Sequence, residues 1–129
     1  MSALAGQLNA ARLKTIGFWA LKLVLAALFL LAGGAKLAGV PAMVAVFDQV
    51  GLGQWFRYFT GVLEVGGALL LLWPATTGLG AVTLLAVSIG AAVAQLFVLH
   101  EDVIHAIVLA VPLAAIAWFH RHQIGGGSA

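Results

Sequence analysis

"RYFTGVLEVGGALLLL", residues 57–72, decides how this chain is read. Apart from Arg57 at its start and Glu64 near its middle, it is apolar or small throughout. It has the character of a membrane-spanning helix, yet a carboxylate in hydrocarbon is costly unless it is paired or protonated. The reading therefore turns on where the membrane lies and on what can reach Glu64.

The composition places the whole chain in the same setting. Hydrophobic residues make up 64% of the 129 residues and charged residues 8%, where a soluble domain has about 25% charged. So little polar surface cannot keep the chain in water, and the lipid bilayer is its expected partner. The net charge of +2 comes from a few Lys and Arg near helix ends. No basic patch indicates nucleic acid. The absence of cysteine excludes disulfides, thiolate metal sites and thiol relays within this chain.

Four apolar runs are long enough to cross a membrane as helices, which takes roughly 20 residues each. They cover about Ile16 to Leu37, Trp55 to Trp73, Leu79 to Leu99 and Val103 to Phe119. None shows the alternation of barrel strands. The expected fold is all-α: an integral membrane four-helix bundle formed as a single domain by residues 1–124. Residues 125–129, "GGGSA", are a flexible tail. The N-terminal apolar run is too long for a secretory signal, and the sequence begins at Met1. Residues 3–15 are expected to form a separate short interfacial helix.

Arg12, Lys14 and Lys22 flank the start of the first run, and Arg121 follows the last. An even number of spans puts these basic ends together, and the positive-inside rule makes that side cytoplasmic. Trp19, Trp73 and Trp118 then fall at the cytoplasmic interface, with Trp55 and Tyr58 at the other. The long connection, residues 38–54, reads as a short helix on the outer surface, ended by Gly51 and Gly53. Connections of this length often act as lids, and a plain interfacial connector is the alternative.

Polar side chains gather in the outer half. Arg57 and Glu64 are seven residues apart and share a helix face, about 10 Å apart along the axis. Gly61 between them leaves room for a neighbouring helix or a ligand. Lys36 ends the first span, with Gly33 and Gly34 just below it, permitting close helix approach. Its stem reaches either outward to water or inward to Glu64. Gln95 lies one turn below the end of the third span, with Ser88 and Gly90 deeper. His105 opens the fourth, close behind Glu101 and Asp102. Those two acids read as helix-start residues. His120 and His122 read as interfacial or tail residues. No pair of imidazoles suits haem, and no group of side chains suits a metal. Lys36, Arg57, Glu64, Gln95 and His105 are thus the candidate polar pocket, with a structural ion pair as the alternative role for Glu64.

The chain resembles the DoxX family of small bacterial membrane proteins. The resemblance rests on "FLLAGGAKLAG" closing the first span, "GLGQWFRYFTGVLEVGGALLLLWP" in the second and "GLGAVTLLAVSIGAAVAQLF" in the third, over about residues 18–100. Gln95 stands where a histidine is often found in that family. The resemblance implies a four-helix protein of the bacterial inner (cytoplasmic) membrane, tied to oxidoreductase assemblies such as thiosulfate–quinone oxidoreductase. Lys36, Arg57 and Glu64 carry over as its polar signature, with no catalytic role attached. Three functions follow as expectations. The first is an accessory or anchoring subunit of a larger redox-linked membrane complex. The second is a quinone- or small-anion-binding oxidoreductase component, with quinone as its cofactor or ligand. The third is a small transporter. Other membrane subunits are expected partners, and a homo-oligomer is compatible with the sequence.

Overall fold

The structure is a computed structural model that describes residues 2–100 and 103–124, without the side chains of Ser2, Leu8 and Ile124. The expected helix-start residues Glu101 and Asp102, and the expected tail 125–129, lie outside the described residues. Every described element is helical. The first helix, α1, runs Ser2–Ala38; α2 runs Pro41–Val50, α3 Gln54–Leu72, α4 Thr77–Phe97, α5 Ile104–Phe119 and α6 Arg121–Ile124. A single 3-10 turn, Pro74–Thr76, joins α3 to α4.

The expected break before the first span is absent. Helix α1 is continuous over 37 residues, about 55 Å at 1.5 Å per residue. The stretch "SALAGQLNAARLKTIG" contains Ala, Leu, Gln and Arg, which are good helix formers, and no proline interrupts it. The short helix expected between the first two long helices is present as α2. It starts on Pro41 and closes on Gly51, whose φ of 82° is the left-handed cap that glycine tolerates best.

Among the described residues, three helical stretches suffice by length and composition to cross a membrane: Ala3–Ala38, Gln54–Leu72 and Pro74–Phe97. The expected fourth span forms helix α5, which is apolar but only 16 residues long. At about 24 Å it is shorter than a hydrocarbon core of about 30 Å. It starts at Ile104, after Val103, and ends at the turn at His120.

All four long helices feed one core. Leu25, Ala26 and Phe29 of α1 meet Ala68 and Leu71 of α3, Ala81 and Leu84 of α4, and Leu113 and Ile116 of α5. The helices pack in chain order, α1 on α3, α3 on α4 and α4 on α5, while α1 and α5 scarcely meet. Two glycine crossings set the registers. A Cβ on Gly33 would lie 2.9 Å from the Gly61 carbonyl oxygen and 3.0 Å from Glu64 Cβ. A Cβ on Gly80 would lie 2.4 Å from the Leu71 nitrogen. Both helix pairs run antiparallel, because higher positions on one helix meet lower positions on the other.

Helix α6 and the end of α5 are tied to the α3–α4 turn and to Phe18 of α1. Gln123 of α6 donates through Nε2 to the Pro74 carbonyl at 2.9 Å and accepts from the Gly78 amide at 2.8 Å. This satisfies an N–H that the first turn of α4 leaves free. Phe18 of α1 stacks on His120 with ring centroids 5.5 Å apart. Lys22, expected simply to flank the first span, is covered instead. Its residue is 4% exposed, and its ammonium sits 3.6 Å from the Trp19 ring centroid, a cation–π contact.

The first crossing makes a direct prediction. Gly34 has open space where a Cβ would go, so Gly34→Ala should gain helix propensity, up to about 1 kcal/mol. Gly33→Ala gains the same propensity but overpacks the crossing, at about 1–3 kcal/mol. Thermal unfolding in detergent should place Gly33→Ala clearly below Gly34→Ala. Equal stability of the two variants would contradict the crossing.

Candidate functional site

Helix α3 presents one buried stripe: Arg57, Gly61, Glu64, Ala68 and Leu71. The spacing of three or four residues keeps them on a single face. The upper part of that stripe is polar and the lower part apolar, so one helix contributes both to the core and to the site.

Glu64 faces the interior and meets Lys36. The ammonium Nζ lies 2.7 Å from Oε1, with the two side chains 15% and 4% exposed. The contact is ionic rather than a well-directed hydrogen bond. The Gly33–Gly61 crossing produces this pairing. It brings the α1 backbone against α3, and the lysine three residues beyond Gly33 then reaches across to the glutamate three residues beyond Gly61. Taken together, two charges in a low-dielectric interior give little net stability. Removing one partner leaves the other uncompensated, which costs about 3–5 kcal/mol.

Arg57 takes a different part. It does not reach Glu64. Its Nε donates to Gln54 Oε1 at 2.7 Å, and its Nη1 donates to the Lys36 carbonyl. A guanidinium at the C-terminus of α1 adds a second donor to a carbonyl that also accepts the Gly39 N–H at 3.3 Å, and complements the negative end of the helix dipole. Gln54 extends the link. Its Nε2 donates to Asp48 Oδ1 at 2.8 Å and to the Val44 carbonyl at 3.1 Å. The chain of contacts Asp48–Gln54–Arg57–Lys36–Glu64 thereby joins α2, α3 and α1.

Lys36 and Glu64 form part of the wall of a cavity of about 600 Å³. This lies within the range of small-molecule sites, about 300–1,000 Å³. Helices α1, α3, α4 and α5 supply the walls, and α2 closes one side with Met43, Val46, Phe47 and Val50. The lining is mainly apolar. Its polar side chains are Lys36, Thr60, Glu64, Ser88, Gln95 and His105. Gln95 Nε2 and His105 Nε2 are 2.7 Å apart. Of the five residues expected to share a pocket, four line this cavity. Arg57 does not; it braces the joint behind Lys36.

Two residues, Ser88 and Gln54, take roles that the sequence pattern did not assign them. Ser88 is 4% exposed, and its hydroxyl has no hydrogen-bond partner. Its position was legible, since it precedes Gln95 by seven residues and so shares that helix face. Gln54 also proves to be a structural hinge point, bonding in two directions. A clue was its place directly after the Gly51 and Gly53 breaks, where a side chain can return to the preceding helix.

A profile of the DoxX-like family matches residues 20–120. The chain belongs to the DoxX-like family. The matched span contains the whole cavity lining and both glycine crossings. The first turns of α1, before residue 20, fall outside it. Searches among curated proteins and among solved structures found no match. Membership supports the reading of the apolar helices as those of a small DoxX-like membrane protein.

The ion pair gives the second prediction. Lys36→Met leaves Glu64 without its cation and should destabilise by about 3–5 kcal/mol. Adding Glu64→Gln should recover most of that loss. Thermal or denaturant unfolding of both single variants and the double variant measures the coupling. Strictly additive effects would contradict a direct pair.

Proposed function

We propose that this DoxX-like protein binds a lipophilic molecule with a polar head group, of quinone type, and serves as a component of a redox-linked membrane complex. The cavity carries this reading. It has the volume of a ligand site, walls rich in Phe and Leu, and a charged pair set with a few polar side chains into a mainly apolar lining. A mainly apolar, partly open space suits a ring or an alkyl tail. The Lys36 ammonium suits a carbonyl oxygen or an anion, and the Glu64 carboxylate suits a proton donor. The loose seam between α1 and α5 supports entry from the lipid side.

The accessory-subunit reading draws on the chain's small size and on its exposed apolar flanks, such as Leu23, Val24, Leu69 and Val93. Such flanks suit lipid and partner helices equally, so the cavity ranks ligand binding first. Transport has no specific support.

The membrane arrangement belongs to the same proposal. We take α1, α3, α4 and α5 as four spans of a bacterial cytoplasmic membrane, with both termini inside. A short α5 is accommodated by local thinning of the bilayer or by its flanking residues. The contacts Phe18–His120 and Gln123–Pro74 support the shared side of the two chain ends. Lys14, Arg121, Trp19, Trp73 and Trp118 cluster toward that end, as the positive-inside rule and the aromatic belt ask.

Two measurements follow. Protein purified from native membranes in mild detergent should carry a lipophilic small molecule detectable by mass spectrometry. Ala94→Trp, which fills the cavity without touching the ion pair, should lose it. An empty wild type, or equal occupancy in Ala94→Trp, would count against the ligand reading. For topology, the chain offers a cysteine-free background. A cysteine introduced at Asp48 should label only from outside intact cells. Labelling only after the membrane is opened would reverse the orientation.

A further inference from the structure

Most hydroxyl side chains inside these helices are occupied by their own backbone. Thr15, Thr60 and Thr83 each donate to the carbonyl four residues before, at 3.0, 2.8 and 2.9 Å. Thr77 donates to the Leu71 and Trp73 carbonyls. Ser88 departs from this habit. It is buried and lines the cavity, and its hydroxyl makes no such bond. A buried hydroxyl without a partner is costly, and the cavity that Ser88 lines offers space for one.

A second vacancy of the same kind lies farther along α4. Gln95 Oε1 is buried in the cavity wall without a partner, while its amide nitrogen is engaged by His105. Ser88 and Gln95 share a helix face and are about 10 Å apart along it. The Gly67–Gly80 crossing sets the register of α3 on α4 and brings Glu64 to within about one turn of Ser88 in depth. The cavity therefore has an inner polar end, with Ser88 at about the depth of Glu64, and an outer polar end, Gln95 with His105. Phe29, Phe47, Phe56 and Leu63 are among the apolar lining residues.

We infer that this is a two-ended site, in which Ser88 and Gln95 bind opposite oxygens of one six-membered ring. The inference rests on the ligand-binding reading above and adds the shape and polarity of the ligand. Two oxygens placed para on a ring, each with a hydrogen bond beyond it, span about the distance between the two ends.

Both ends accept either form of such an oxygen. The Ser88 hydroxyl rotates to donate to a carbonyl or to accept from a hydroxyl. The outer end does the same through the His105 tautomer. When His105 Nε2 accepts from the Gln95 amide, Oε1 faces the cavity and takes a ligand hydroxyl. When His105 Nε2 carries the proton, the amide turns over and presents its NH2 to a ligand carbonyl. The site is thus suited to hold a para-dicarbonyl ring and its dihydroxy counterpart with comparable affinity.

The test measures binding of three probes to the purified full-length chain in detergent: an alkyl para-benzoquinone, the matching hydroquinone and the matching alkyl phenol. The wild type should bind the first two alike and about tenfold more tightly than the phenol, which satisfies one end only. Ser88→Ala and Gln95→Leu should each weaken the two-oxygen probes about tenfold. Only one of the two variants should weaken the phenol. Ser88→Ala removes an unpartnered hydroxyl and favours helix, so its fold, checked by thermal unfolding, should be retained. Wild-type affinity for all three probes in both variants would overturn the two-ended site while leaving ligand binding in place. A wild type that binds none of the probes, yet carries another lipophilic molecule from native membranes, would overturn the two-ended site alone. An empty wild type that also binds no probe would overturn both.

Discussion

A carboxylate enclosed among apolar helices is the constraint on which the rest of this molecule depends. Glu64 cannot stand alone in such surroundings, and Lys36 is the group that meets it. The pairing demands that α1 and α3 approach closely, and two glycines provide the space. Any side chain at Gly33 or Gly61 would push the helices apart and take the ammonium away from the carboxylate. Arg57 then secures the end of α1 by bonding its last turn. The glycines, the lysine, the arginine and the glutamate are one device.

That device divides the molecule along its length. Toward the chain ends, Leu71, Ala81, Leu84, Leu113 and Ile116 pack together, and the buried Thr77 hydroxyl among them is satisfied by the Leu71 and Trp73 carbonyls. Toward α2, the same four helices line a cavity. The packed half supplies the stability that allows the other half to hold open space and unpartnered polar groups. The role of α2 follows from its contacts. Phe47 packs on Phe56 with ring centroids 5.9 Å apart, and Gln54 bonds it to the start of α3. It closes the cavity while remaining tied to the helix that carries Glu64.

Much of this was legible in the residues. Glu64 amid "FTGVLEVGGALLLL" announced a charge needing a partner, and Lys36 beside Gly33 was a reachable candidate. Gly51 and Gly53 announced the end of α2. Other features depend on contacts between elements that no local pattern encodes. Arg57 and Glu64 share a face, so spacing alone grouped them. Only the position of the α1 terminus shows that the arginine is taken by a carbonyl. The burial of Lys22, whose ammonium lies over the Phe18 and Trp19 rings, depends on tertiary packing that its place near the start of the span does not reveal. The cavity itself was not legible, because empty space arises from where helices diverge, and no residue type marks it.

The central claim is that the Lys36–Glu64 pair forms part of the wall of an occupied ligand site. An experimental structure of the natively purified protein in lipid nanodiscs tests it most directly. The account predicts Lys36 and Glu64 in contact across the α1–α3 crossing, with non-protein density in the cavity reaching Ser88 at one end and Gln95 at the other. A structure with Glu64 turned to the lipid, or with the cavity closed by the protein's own side chains, would contradict it.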